Sequence, residues 1–423
     1  MKPSITGKSR HSPLITKPAC LRAGILTILI CVFAKAHALP AQTSAAPASA
    51  LSVQEIEPPS AAKSRQAHLS AASGGKLILS WVEPAPKAEK ILKFAWYDGK
   101  TWSAPRNVVR LPAIYDLPKV IELNDGALGA VWGTETRIKK QSSNEVYVSR
   151  SADGGLTWSK AVKANSDQKV KTARYNAYIA PLPEGNMAVF WSDARHRKKD
   201  KGEQYLMGTV MDGKGRVEHD FAVDDNICSC CQLLPARYKD QLYLTYRDHL
   251  PGEVRDIAVL PWPGLRTAKA VRVHSDNWVL DGCPGQNVGA SASQNRFGVA
   301  WFTAAGGKGK VQAAFTDDPG KGFGAPVNVD PEHQPQGEVK MVMLDDDRAV
   351  VQWLRTTPEG PSLQLALVSA SGQVLAERQL SKPSWKTAFE WPNLPTAAQG
   401  GGSAYFSWLD TEAERIHVVK VGL

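Results

Sequence analysis

The chain has 423 residues, 43% of them hydrophobic and 22% charged, with a formal net charge of +10. Six of the 51 Lys and Arg fall within residues 1–38, which carry no Asp or Glu, so the remainder is only +4 and overall basicity gives no reason to expect a nucleic-acid partner. Beyond residue 38 no stretch is apolar enough to span a bilayer.

Residues 1–38 read as a signal peptide. Lys2, Lys8, Arg10, Lys17 and Arg22 lead into the apolar run Ala23 to Ala34, and Ala36-His37-Ala38 is a small-x-small cleavage site. Ile30 stands before Cys31 where a lipoprotein signal needs a small residue. The expectation is an exported protein, periplasmic or secreted, with no membrane attachment after cleavage. Residues 39–62 are rich in Ala, Pro and Ser and predict a linker, within which Leu51 to Ile56 alternates like a strand.

Residues 63–423 repeat one unit, clearest between Asp116 and Trp158. Two short apolar runs flank Asn124-Asp125-Gly126, a hairpin turn in which Gly supplies positive φ. A third run, Val146 to Ser149, alternates, and Ser151-Ala-Asp153-Gly154-Gly155-Leu-Thr157-Trp158 forms a compact turn. The aromatic closing the second run returns as Trp81, Trp132, Trp191, Tyr246, Trp301, Trp353 and Trp408, at spacings of 51, 59, 55, 55, 52 and 55 residues. Four short strands per period predict an all-β propeller of seven four-stranded blades. The seventh unit stops after its third strand, so a segment preceding the first unit, with Leu51 to Ile56 the candidate, is expected to supply the missing outer strand and avoid an open edge.

The turn from Ser151 to Trp158 resembles the Asp-box, or BNR, repeat of the sialidase superfamily, with partial versions at Asp98–Trp102 and Thr316–Phe323. In that superfamily the boxes lie on the face opposite the active site, and its sialidases have six blades, which stands as the alternative to seven. The chain also resembles bacterial exported sialidase-like proteins through Cys228-Ser-Cys230-Cys231, Tyr246-Arg247-Asp248 and Cys283-Pro284. The resemblance implies a glycoside hydrolase of the exo-α-sialidase kind, or a binding propeller, with a carbohydrate or other small anionic ligand.

In a propeller the first strand of each blade begins on the face where the second ends, so polar residues from all units converge on an axial pocket. A sialidase needs arginines for the substrate carboxylate, an acid/base carboxyl and a Tyr nucleophile activated by Glu. Arg195, Arg247 and Arg355 are the candidate clamp, Asp116 the candidate acid, and Tyr175 or Tyr246 the candidate nucleophile. The sequence departs from the sialidase pattern in two places: no Arg-Ile-Pro opens the first unit, and cysteines occupy the position expected for the activating Glu. Arg195-His-Arg-Lys-Lys199 is read as a solvated loop, or as an attractor of acidic glycans. Cys228, Cys230, Cys231 and Cys283 fall at the starts of adjacent units. In an exported protein they predict one or two disulfides tying the fourth start to the fifth; the alternative is a thiolate site for Cu or Zn, with no other cofactor expected.

Overall fold

The computed structural model describes residues 51–138, 141–167, 172–197, 204–264, 266–382 and 393–423. The signal peptide, the first part of the linker, Trp391, near which the sequence starts its seventh unit, and Lys198 and Lys199 of the basic run, with Lys201 beside it, lie outside the described residues.

Among the described residues, 28 strands, β1 to β28 in chain order, form seven antiparallel four-stranded sheets. Blade 1 is β2–β5 (65–111), blade 2 β6–β9 (115–163), blade 3 β10–β13 (174–224), blade 4 β14–β17 (234–272), blade 5 β18–β21 (288–328) and blade 6 β22–β25 (335–379). Blade 7 joins β26 (Thr396–Gly400), β27 (Ser403–Asp410) and β28 (Arg415–Gly422) to β1 (Ser52–Glu55), which pairs with β28 through Val53 opposite Val421. The fold is a seven-bladed β-propeller, closed as expected by a strand from the start of the chain.

Ring closure is also visible in the core. Buried apolar residues fall into seven clusters, and each joins two adjacent blades, the last linking Leu79 and Trp81 of blade 1 to Tyr405 and Val418 of blade 7. This explains the repeated aromatic: Trp81, Trp191, Trp301 and Trp353 are fully buried on second strands. Their indole N–H groups donate to Glu83, Asp193, Asp276 and Asp330 at 2.6–2.8 Å, so each large apolar surface is buried without stranding its polar atom.

The turn at residues 151–158 connects β8 (Gln141–Ser151) to β9 (Val162–Lys163). The Thr157 amide and hydroxyl donate to Asp153 at 3.0 and 2.6 Å, and the Gly155 amide donates to Ser151 Oγ at 2.8 Å. The Thr157 bonds, with one donated by the Ser151 hydroxyl at 2.8 Å, hold the Asp153 carboxyl well below the usual carboxylate range. Gly155 sits at φ +87°, and a Cβ there would fall 2.3 Å from the Phe94 ring, so the box is fitted against blade 1. The connection lies on the face away from the starts of the inner strands.

Candidate functional site at the mouth of the axial channel

The inner strands do not run straight into their ladders. Bulges lie between Arg65 and His68, Tyr115 and Lys119, Tyr175 and Tyr178, and Gly337 and Lys340. Each contains a non-glycine residue with positive φ: Gln66 (56°), Leu117 (44°), Asn176 (56°) and Glu338 (53°). Such backbone is costly and persists only where its surroundings enforce it. Here it re-aims side chains around the axis. Gly337, at φ +103°, allows the close approach of Gln286, whose side-chain oxygen would lie 1.5 Å from any Cβ there.

The result is a cavity of about 440 Å³ at the mouth, lined by Tyr175, Asn176, Arg197, Cys230, Asn287 and Glu338 among others. Glu338 is buried and accepts a hydrogen bond from Asn287 Nδ2. Burial raises its carboxyl from the usual range to about 7, against the attraction of Lys340 and the Asn287 hydrogen bond. Asn176 Nδ2 donates to the Cys231 carbonyl at 3.1 Å, and its side-chain oxygen is buried with no partner among the described residues.

The candidates from sequence fall into two groups. Tyr175 and Cys230 line the cavity; Asp116, Arg195, Arg247 and Arg355 do not. Asp116 is buried beneath it, where its oxygens accept the Asn176 and Ala177 amides at 2.6 and 2.7 Å, fastening blade 2 to the start of blade 3. Burial raises its pKa, with Lys119 and the two amides opposing.

The arginines do not assemble as a clamp, because each guanidinium is already engaged. Arg195 pairs with Asp193 and Asp220 at 2.7 and 2.6 Å, and Arg355 with Asp330 and Glu377 at 2.7 and 2.6 Å. Arg247 is fully buried, donates to the Arg255 and Phe302 carbonyls at 2.7 Å each, and lies 5.0 Å from the centre of the Trp278 ring. Burial pulls its pKa down to about 10. Tyr246 is also buried, with its hydroxyl donating to Asp224 at 2.5 Å. Among the described residues, the cation that lines the cavity is Arg197, from the basic run.

The cysteines form two disulfides, Cys228–Cys231 within the loop before β14 (Leu234–Tyr238) and Cys230–Cys283 across to the loop before β18 (Val288–Ala292). The second ties the starts of blades 4 and 5 together at the rim. The sulfurs of Cys228, Cys230 and Cys231 lie within 4.8 Å of one another.

Sequence reasoning missed Glu338 and Asn287. The available signal was Glu338-Val-Lys340 at the head of an apolar strand, which parallels Asp116-Leu-Pro-Lys119 in blade 2.

No family model and no curated protein matches the chain. Solved structures with a similar fold include the α-L-arabinofuranosidase Arb93A of Fusarium graminearum, 12% identical with a TM-score of 0.48 over 77% of this chain and 99% of that one. They also include the NanB sialidase of Streptococcus pneumoniae, 10% identical with a TM-score of 0.40 over 88% and 94%. A third is the β-propeller domain of the Trilobed protease of Pyrococcus furiosus, 11% identical with a TM-score of 0.40 over 81% and 91%. Likeness this distant says nothing about the chemistry of the mouth.

Proposed function

We propose that the mouth cavity takes an anionic saccharide and that Glu338 is its acid–base group, in a glycoside hydrolysis of the sialidase type. The supporting observation is a buried carboxyl that faces a cavity of saccharide size, with its pKa raised by that burial. A carboxyl of that kind protonates a leaving glycosidic oxygen. Tyr175, lining the same cavity, is the candidate nucleophile, as in the Tyr variant of the two-carboxylate scheme. Arg197 supplies the positive charge for the substrate's acidic group. Export to the periplasm or the exterior belongs to this reading, since two disulfides suit an oxidising compartment.

The test uses fluorogenic sialosides and arabinofuranosides. Glu338→Gln lowers kcat by roughly a hundredfold or more with little change in KM, the size expected for a general acid. Arg197→Ala raises KM for the charged glycoside alone. Wild-type protein that neither cleaves nor binds any of them rules the reading out.

The thiol cluster supports a second reading, a binding propeller carrying metal at its rim. With both bridges reduced, three thiolates within 4.8 Å suit Cu(I) or Zn(II). A free-thiol count and metal assay on protein purified without reductant decide it: no thiols and no metal end this reading.

A further inference from the structure

The first residue after each bulge occupies the same level of the axis: His68 in blade 1, Lys119 in blade 2, Tyr178 in blade 3 and Lys340 in blade 6. All four line a second cavity of about 360 Å³, distinct from the one at the mouth. Its other lining residues come mostly from further along the inner strands, toward Glu122, Pro181 and Arg237, joined by Leu242 near the start of a second strand, so it opens on the opposite face. We propose that this lower half of the channel is a binding site for a small organic anion, whose carboxylate or phosphate head sits among Lys119, Lys340 and His68 and whose apolar body lies along the strands below.

Both ammonium groups are built into the fold, with Lys119 at 0% exposure and Lys340 at 4%. Burying two amines at one level of an axis is expensive unless something compensates them. Asp116 and Glu338 attract them through space and so offset part of that cost, but the direct hydrogen bonds of these carboxylates come from the Asn176 and Ala177 amides and from Asn287, leaving the ammonium groups to other acceptors. Lys119 Nζ donates to the Leu117 and Ala177 carbonyls at 2.6 and 2.7 Å and lies 3.8 Å from the centre of the Tyr178 ring. Lys340 Nζ donates to Gln232 Oε1 at 3.0 Å, its one hydrogen bond among the described residues. Two further buried atoms have no partner among the described residues: His68 Nδ1 and Gln232 Nε2. The layer therefore holds an excess of donors. Burial, with both lysines nearby, keeps His68 neutral, so one of its ring nitrogens can donate without adding charge. Below this level the walls are Ile121, Ile179, Leu242 and Met341, which suit a hydrocarbon body rather than a bare ion.

The probes are hexanoate and hexyl phosphate, with hexanol as the uncharged control, read by thermal melting and calorimetry of the whole protein. At ligand concentrations near a hundred times Kd, one or both anions raise Tm by a few degrees, and hexanol does not. Which anion gives the larger shift identifies the head group. Lys340→Met removes the shift. Should that variant not fold, Ala290→Phe, which fills the cavity without altering a charge, removes it instead. Binding of neither anion, equal binding of hexanol, or a shift that survives Ala290→Phe overturns the proposal.

Discussion

The Cys228 amide donates to the Arg247 carbonyl at 3.0 Å, so the loop that carries the cysteines is hydrogen-bonded to the mouth end of β15 (Gln241–Arg247). Both residues are at the same end of the propeller, yet their side chains do different work. The guanidinium turns away from the cavity and joins Arg255 of the following loop to Phe302 of blade 5. Arg247→Ala leaves two buried carbonyls unsatisfied and a void beside Trp278, and it costs about 3 kcal/mol or more. Denaturant titration should show the midpoint fall. The folded fraction should keep its affinity for any ligand of the mouth, opposite to the behaviour of a substrate clamp.

The two disulfides differ in what they constrain. Cys230–Cys283 closes a sequence separation of 53 residues, and Cys228–Cys231 one of 3. Chain-entropy reasoning gives about 4 kcal/mol for the longer loop and roughly 1.5 for the shorter. Replacing Cys230 and Cys283 together by Ser should therefore lower stability more than replacing Cys228 and Cys231 together. Equilibrium unfolding of the two double variants without reductant makes the comparison.

The ring was legible in the sequence because each interface between blades makes the same demand. A second-strand aromatic must fill the gap, so its period survives although little else repeats. The channel was harder to read. The bulges at Gln66, Leu117, Asn176 and Glu338 decide which side chains face the axis, and no local pattern announces an added residue in a strand. Lys119 and Lys340, charged residues inside apolar runs, were the visible trace. The direction of the arginines was hidden for another reason. The partners that hold Arg355, Asp330 and Glu377, lie 25 and 22 residues away in sequence and become neighbours only when the blade is built.

Closure by β1 makes a prediction about the start of the chain. Leu51 is 3% exposed and packs with Leu365 and Val421 at the junction of blades 6 and 7. The Ile56 amide extends the pairing to the Val418 carbonyl at 2.9 Å. Deleting residues 51–56 leaves β28 as an unpaired edge with an apolar face, the arrangement that promotes intermolecular strand pairing. Light scattering should show the truncated protein aggregating at concentrations where the full chain stays dispersed. Leu51→Asp, which retains every backbone group, should lower Tm with less aggregation.

Asp248 gives stability a pH dependence whose sign can be worked out. Burial raises its pKa from 3.8 to about 7, helped by the like charges of Asp224 and Asp225, and opposed by the His249 amide and Arg272. The folded protein then holds this proton more tightly than the unfolded chain does, so stability falls as pH rises from about 4 to about 7, and the penalty is complete above that window. Asp116 and Glu338 are raised as well and shift the wild-type curve in the same direction. The contribution of Asp248 is therefore isolated in the difference between variant and wild type. Asp248→Asn keeps an acceptor for the His249 amide, which bonds Asp248 Oδ1 at 2.8 Å, and removes the charge. It should stabilise the protein by on the order of 2–4 kcal/mol at pH 8 and by nothing at pH 4. Thermal melts of both proteins across that range test this, and a difference that does not change with pH would show that the Asp248 carboxylate carries no such penalty.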